Sequence, residues 1–234
     1  AVAPKKTDNI IEIGPGLGAL TQQLLPQLSC LSVIELDKDL IPLLEEKCRH
    51  LGKLIVYQGD ALKFNFKSLS KANGLWRLVG NLPYNISTPL LFHCLDQASA
   101  IQDMHFMLQK EVVDRLNAQP GQASYGRLSV MIQYYCGVEK LFNVKPGAFQ
   151  PPPKVDSAVV RLIPYKELPY KANDPLLFAE IVRIAFSQRR KMLRNNLANL
   201  LQAEDFEQLN IDPRQRPEQL FVSDYVNLAN FLTK

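Results

Sequence analysis

Short runs of apolar, β-branched residues alternate with segments of helical periodicity along the first half of the chain. This alternation predicts a parallel β-sheet with helices on both faces, because parallel strands need long crossover connections that are usually helical. The predicted strands cover residues 9–13, 31–35, 54–57, 75–79 and 104–108. The predicted helices cover residues 20–28, 40–50, a segment that starts near 86, and 111–117.

The pattern changes after Arg127. Residues 128–136 fit a helix or a strand, and the sequence does not decide between them. Residues 138–144 and 157–163 predict two late strands separated by a Pro-rich loop, and we expect them to form an antiparallel edge of the sheet. The prolines at 164, 169 and 175 mark a linker, and only helical patterns follow it, over residues 176–201, 203–209 and 222–232.

The fold class predicted from these patterns is α/β, with a Rossmann-like, mostly parallel sheet and a small all-α C-terminal domain. We place the domain boundary in the proline-marked linker, so that residues 1–167 form the first domain and residues 168–234 the second. A chain of 234 residues is long enough for this arrangement.

Composition limits the functional classes. The chain is 47% hydrophobic and carries a net charge of +4, which permits a polyanionic partner without requiring one. No apolar run approaches the roughly 20 residues of a membrane span, so no membrane partner is expected. The four cysteines and three histidines have no metal-ligand spacing, so we expect no metal, and reduced thiols in the cytoplasm.

A glycine-rich turn, Gly14–Gly18, follows the first strand and opens a helix. Glycine allows a sharp turn and lets a ligand approach the backbone closely. Glu35 ends the second strand, 21 positions after Gly14, which matches the roughly 20-residue offset at which an acidic residue contacts a ribose diol. Asp60 and Ala61 follow the third strand on the same rim, where a carboxylate can accept a bond from an adenine amino group.

Glycine turns also serve NAD enzymes, but the spacing here is G-x-G-x-G and not G-x-G-x-x-G. The shorter spacing argues against a dinucleotide with its pyrophosphate. A nucleoside-bearing cofactor such as S-adenosylmethionine fits the turn better, with Glu35 and Asp60 as candidate contacts beside the glycines.

The fourth strand ends at an unusual group of residues, Asn81-Leu82-Pro83-Tyr84. The exocyclic nitrogen of adenine is a poor nucleophile because its lone pair is delocalised into the ring. The side-chain carbonyl of Asn81 and the backbone carbonyl of Leu82 can accept its N–H groups and favour a more tetrahedral nitrogen. Pro83 stiffens the loop, and the ring of Tyr84 offers a surface for an extruded base.

At this point the chain resembles a known family. The motifs IGPGLG and NLPY, together with four later segments, are similar to the ribosomal RNA adenine N6,N6-dimethyltransferases of the bacterial KsgA/RsmA type. The later segments are MLQKEVVDRL, YGRLSVMIQYYC, FQPPPKVDSAVVRL and FSQRRKMLRNNL. The resemblance runs from about Ile10 to the C-terminus and rests on specific motifs.

The resemblance implies an S-adenosylmethionine-dependent enzyme that adds two methyl groups to each of two adjacent adenines near the 3′ end of 16S rRNA. It implies that the cofactor contacts Gly14, Gly16, Glu35, Asp60, Ala61 and Asn81. It also implies that Tyr84 and Phe149 flank the target base. The expected partner is small-subunit rRNA within the immature 30S subunit, contacted by a monomer whose second domain binds RNA. The basic residues expected to contact that RNA are Lys145, Lys154, Arg189, Arg190, Lys191 and Arg194.

Other interpretations stay open. Arg189 to Arg194 fall within two turns of a predicted helix, which also describes a solvated basic face. One alternative is an Erm-type enzyme acting on 23S rRNA, although the run PPPKVDS and the C-terminal helices favour the small-subunit enzyme. Another is a ribosome-assembly factor whose binding outweighs its methylation. Family members also carry a basic N-terminal segment that folds over the cofactor, and we expect either a longer gene product or a version without this lid.

Overall fold

A computed structural model describes residues 1–69, 74–150 and 152–233 of the chain, so Pro151 of the Pro-rich loop lies outside the described residues. The described residues contain a seven-stranded sheet. Its strands are β1 (Ile10–Ile13), β2 (Leu31–Glu35), β3 (Leu54–Gln58), β4 (Trp76–Asn81), β5 (Ile101–Gln109), β6 (Cys136–Val144) and β7 (Ser157–Pro164).

The strand order is β3-β2-β1-β4-β5-β7-β6. Neighbours among the first five strands pair in parallel, and β7 pairs with β5 in antiparallel register. This arrangement confirms the predicted α/β fold with a mostly parallel sheet and an antiparallel edge. Connections run in one direction from β1 to β3 and in the other from β4 to β5, so the order reverses between β1 and β4. In open α/β sheets, ligands bind at the carboxyl ends of the strands beside this reversal.

Helices connect the strands of the first half. They are α1 (Thr21–Leu24), α2 (Leu40–Cys48), α3 (Ser87–Leu95) and α4 (Lys110–Leu116). The first of them is shorter than predicted, because Pro26 lacks the N–H that an α-helix needs and the chain continues as a 3₁₀ turn over Leu25–Gln27. Every residue of β1 and β2 is buried, as expected for strands covered on both faces.

Gly80 explains how β4 approaches β1 at the reversal. A Cβ built on this glycine would lie 2.7 Å from the backbone oxygen of Ile13. Backbone cannot move aside as a flexible side chain can, so only glycine fits here. The Gly80 position therefore keeps the two strand ends together at the edge where the candidate site lies.

The described chain packs as two compact units. The first contains Ala1–Val113 and Gly137–Pro164, and the second contains Asp114–Cys136 and Tyr165–Lys234. The second unit therefore includes a segment that the sequence analysis assigned to the first domain.

The segment 114–136 packs with the C-terminal helices through Tyr134. Its hydroxyl accepts a hydrogen bond from the Ala172 backbone N–H at 3.1 Å, and its ring lies 4.3 Å from that of Phe178, measured between centroids. The part of this segment that the sequence left undecided, residues 128–136, is mostly a helix, α5 (Arg127–Tyr135), and only Cys136 begins β6.

The remaining helices of the second unit are α6 (Pro175–Ala185), α7 (Leu193–Asn196), α8 (Ala203–Gln208) and α9 (Val222–Leu232). The carboxylate of Asp174 caps α6 by accepting the N–H groups of Leu176 at 2.8 Å and Leu177 at 3.1 Å. The expected continuous helical pattern over 176–201 is wrong, because a 3₁₀ turn and a bend interrupt it after Ala185. Among the described residues, no helix has both the length and the apolar character to cross a membrane.

Candidate active site

The glycine turn lies at the carboxyl end of β1. Gly14, Gly16 and Gly18 have φ values of +66°, +55° and +84°, which residues with a side chain rarely adopt. A Cβ on Gly14 or Gly16 would meet nothing within 4 Å, so both glycines leave open space beside the backbone. A Cβ on Gly18 would instead approach Leu44 to 2.7 Å. The first two glycines thus form an open cradle, and the third allows packing against α2.

Glu35 holds this turn from the neighbouring strand. Its Oε2 accepts the backbone N–H of Gly16 at 3.0 Å, and its Oε1 accepts that of Asp37 at 2.9 Å. The side chain is nearly buried at the end of β2, so sheet packing fixes its position. Each carboxylate oxygen can accept a further hydrogen bond, as contact with a ribose diol requires.

Glu12 is a buried acid that the sequence analysis did not single out. It lies on β1 and is 2% exposed, and its Oε2 accepts a hydrogen bond from the Thr21 hydroxyl at 2.7 Å. Burial raises the pKa of Glu12 to about 7; the Thr21 bond opposes the rise and nearby Glu35 adds to it. The bond joins β1 to the start of α1 across the glycine turn. A glutamate in an otherwise apolar buried strand was the signal that could have revealed it.

Asp60 and Ala61 follow β3 on the same edge, as predicted. The Asp60 Oδ1 accepts the backbone N–H of Leu62 at 2.9 Å, which orders the turn after the strand. The backbone N–H of Gly59 donates to the Glu35 carbonyl at 2.9 Å, and this bond joins the ends of β3 and β2. The four strand ends that carry the predicted cofactor residues are therefore neighbours in the sheet.

A cavity of about 300 Å³ opens at the end of β4. Its lining contains all five residues that the sequence analysis assigned to catalysis. Asn81 is exposed and lines this cavity, whereas Leu82 is buried and its backbone N–H donates to the Met107 carbonyl at 3.2 Å. The lining residues are Asn81, Leu82, Pro83, Tyr84, Phe149 and Pro153.

The two aromatic walls of the cavity come from distant parts of the sequence. Tyr84 follows β4, and Phe149 follows a 3₁₀ turn over Pro146–Ala148 in the loop between β6 and β7. The backbone N–H of Phe149 donates to the Pro146 carbonyl at 3.1 Å. Their meeting at one cavity follows from the position of β7 next to β5.

The predicted RNA-contacting residues divide between the units. Lys145 and Lys154 are exposed at the two ends of the Phe149 loop in the first unit. The four basic residues of the second unit are also exposed, but the idea that they share two turns of one helix is wrong. Arg189, Arg190 and Lys191 lie in the turn between a 3₁₀ turn and α7, and only Arg194 is helical.

Arg189 differs from its neighbours because it has internal partners. Its guanidinium donates to the Ala123 carbonyl and lies 4.0 Å from the Glu218 carboxylate. Within the described residues, no group of three or more His, Cys, Asp or Glu side chains is arranged to hold a metal ion, and the four cysteines are free.

Comparisons with known proteins show the family to which the chain belongs. A family model described as ribosomal RNA adenine dimethylase matches residues 1–234. Ribosomal RNA small subunit methyltransferase A from Marinomonas sp. strain MWYL1 is 56% identical over 233 residues, which cover 100% of this chain and 88% of that protein. The protein of the same name from Pseudomonas aeruginosa is 57% identical over 234 residues, covering 100% of this chain and 87% of that protein.

Two solved structures share the fold over nearly the whole chain. A dimethyladenosine transferase from Plasmodium falciparum superposes with a TM-score of 0.81 at 28% identity, covering 97% of this chain and 90% of that one. The 23S rRNA methyltransferase ErmE gives a TM-score of 0.75 at 22% identity, covering 100% and 94%, and this likeness concerns the fold alone. From the match over its full length and the high identity to curated relatives, the chain belongs to the ribosomal RNA adenine dimethylase family.

Proposed function

We propose that this protein transfers methyl groups from S-adenosylmethionine to the N6 atoms of two adjacent adenines near the 3′ end of 16S rRNA. The observation that carries the proposal is the cavity at the end of β4, which is lined by Asn81, Leu82 and the two aromatic residues Tyr84 and Phe149. The curated relatives, named ribosomal RNA small subunit methyltransferase A, support the choice of small-subunit rRNA as substrate.

The residues around the glycine turn fit the cofactor. The open space beside Gly14 and Gly16 admits a ligand against the backbone, and Glu35 keeps acceptor capacity beside it. Asp60, Ala61 and Asn81 lie on the neighbouring strand ends and complete the proposed site. When bound, S-adenosylmethionine supplies an electrophilic methyl group on a sulfonium.

Asn81 and Leu82 activate the adenine amine in this proposal. The side-chain carbonyl of Asn81 and the main-chain carbonyl of Leu82 accept its two N–H groups and stabilise the positive charge that develops on nitrogen. The bond from the Leu82 N–H to the Met107 carbonyl fixes the peptide that lies between these two acceptors against β5. The methylated, cationic amine is acidic and loses its proton to water.

Tyr84 and Phe149 hold the base. An adenine inside a duplex is out of reach, so the substrate must be unpaired or extruded. Stacking on an aromatic ring contributes about 1–3 kcal/mol per base. After the first transfer one N–H remains, so the cavity must then accommodate a methyl group where a proton had been.

Basic residues supply the contacts to the phosphate backbone. Lys145 and Lys154 flank the Phe149 loop, and Arg190, Lys191 and Arg194 are exposed in the second unit. Through them we assign catalysis to the first unit and much of the RNA binding to the second. The expected partner is the immature 30S subunit in the cytoplasm, bound by a monomer.

The test compares Asn81→Ala with a matched control, Asn85→Ala, in the same loop. Under-methylated small subunits are incubated with labelled S-adenosylmethionine and digested to nucleosides. Loss of one preorganised acceptor lowers kcat by about 10²- to 10³-fold, and Asn85→Ala retains activity. Full activity of Asn81→Ala would reject the mechanism. Primer extension over the product separates this substrate from a site in 23S rRNA.

A further inference from the structure

Tyr84 is hydrogen-bonded to two buried serines, one at its backbone carbonyl and one at its phenol hydroxyl. Its backbone carbonyl accepts a hydrogen bond from the Ser87 hydroxyl at 3.0 Å, and its own hydroxyl lies 3.1 Å from the Ser157 hydroxyl. Ser87 is 2% exposed and Ser157 is 1% exposed, whereas Tyr84 is 37% exposed. The partly exposed Tyr84 is therefore held at its backbone and at its ring hydroxyl by two buried side chains.

Loss of the hydrogen bond between Tyr84 and Ser157 costs more at Ser157 than at Tyr84. A buried hydroxyl without a hydrogen bond costs about 1–3 kcal/mol, whereas a partly exposed phenol can bond to water. In a purely structural role, alanine would fill this position at the start of β7 at no such cost. A serine at this position is explained if its hydroxyl acts on the Tyr84 ring.

The two chain segments that line the cavity are both hydrogen-bonded to the carboxyl end of β5. Leu82 donates its backbone N–H to the Met107 carbonyl, and Ser157 pairs with Gln109 in the antiparallel register of β5 and β7. The hydroxyl pair of Tyr84 and Ser157 therefore joins the segment that carries Asn81 to the strand that follows the Phe149 loop.

We propose that Ser157 is a positioning residue, which holds the Tyr84 ring at a fixed place relative to Asn81 and to the Phe149 loop. Without the bond, the ring tip is free to swing about its side-chain torsions, and a base stacked on it moves with it. Displacement of a reacting group by about 1 Å can cost 100-fold in rate, so a looser ring slows methyl transfer. This inference rests on the proposed stacking of the target adenine on Tyr84.

The experiment is a double-mutant cycle of Ser157→Ala and Tyr84→Phe, measured as kcat and KM on under-methylated small subunits. Each single variant removes the same hydrogen bond, so each should lower kcat by about 3- to 10-fold. The double variant should be no slower than the slower single one, because the bond is already lost. Binding of S-adenosylmethionine, followed by calorimetry, should not change.

Ser32→Ala is the matched control, because Ser32 is a buried serine on β2 of the same sheet, 4% exposed. It should leave kcat unchanged whatever its effect on stability. A second readout uses an RNA hairpin with 2-aminopurine at the target adenine, whose fluorescence falls on stacking. Ser157→Ala should restore part of that fluorescence in the bound complex.

Wild-type kcat and fluorescence in Ser157→Ala would overturn the inference, as would effects of the two changes that simply add. These outcomes are distinct from failure of the proposed function. If Asn81→Ala is inactive while Ser157→Ala behaves as wild type, only the positioning role is lost. If Asn81→Ala is fully active, the acceptor mechanism is lost.

Discussion

The titration of Glu12 predicts the sign and the magnitude of a pH dependence in the free energy of unfolding. Burial on β1 raises its pKa from 4.5 to about 7 in the folded protein. Between these two values the folded state binds more protons than the unfolded state, so the free energy of unfolding falls as the pH rises. At about 1.4 kcal/mol per pH unit, the loss between pH 4.5 and pH 8 is about 3 kcal/mol.

The variant Glu12→Gln removes this titration and keeps an oxygen that can accept the Thr21 hydroxyl. Its buried amide adds a cost that does not depend on pH. The difference in unfolding free energy, Glu12→Gln minus wild type, should therefore rise by about 3 kcal/mol from pH 4.5 to pH 8. Subtracting wild type removes the titration of all other groups.

Urea unfolding followed by tryptophan fluorescence measures this difference. Trp76 is the only tryptophan of the chain and lies on β4, beside β1, so its signal reports the unit that contains Glu12. Glu46→Gln is the matched control, since Glu46 is exposed on α2. Such a surface change should stay within about 0.5 kcal/mol at every pH.

A difference that stays flat between pH 4.5 and pH 8 would refute the reasoning, because Glu12 would then bind protons equally in the folded and unfolded states. A difference that falls with pH would mean that the folded protein stabilises the ionised form. Either result would also argue against a Glu12 carboxyl that is shielded from water beneath the glycine turn.

Three further changes test other parts of the structure. Gly80→Ala should lower the free energy of unfolding by about 1–3 kcal/mol in urea, because its Cβ meets the Ile13 backbone oxygen at 2.7 Å; an unchanged midpoint would contradict the close approach. Asp174→Ala should cost about 1 kcal/mol through loss of the α6 cap, measured by urea unfolding followed by far-UV circular dichroism because Trp76 lies in the other unit, and no cost would mean that water replaces the cap. Arg190→Ala should reduce the slope of log K against log salt for rRNA binding by about 1, and Arg189→Ala, whose guanidinium has internal partners, by less; equal slopes would argue against this difference.

The sequence predicted the sheet and the candidate site where local patterns carry the information. The buried strands are visible in the sequence as runs of β-branched residues. The polar residues that follow them were assigned to one edge of the sheet because parallel strands end together. Asn81 and Glu35 were found in this way. The arrangement of the basic residues 189–194 was not, because the bend after Ala185 leaves the helical pattern of apolar residues intact on both sides.

The residues that sequence reasoning missed depend on neighbours far away in the chain. Gly80 matters because of Ile13 on an adjacent strand, and Ser157 because of a hydroxyl 73 positions earlier. Glu12 matters through Thr21, which lies across the glycine turn. Each of these pairings becomes visible only when the strand order is known, and no periodicity in one segment encodes it.

The strand order also explains why β5 is central to the site, although the sequence assigns it no chemistry. It lies between β4, which ends at Asn81, and β7, which begins at Ser157. A connection that returned β7 to the outer edge, beyond β6, would leave the Tyr84 hydroxyl without its partner and separate Phe149 from Asn81. The antiparallel insertion of β7 against β5 is therefore the topological feature that makes one cavity out of two distant segments, and the chemistry proposed for Asn81 depends on it.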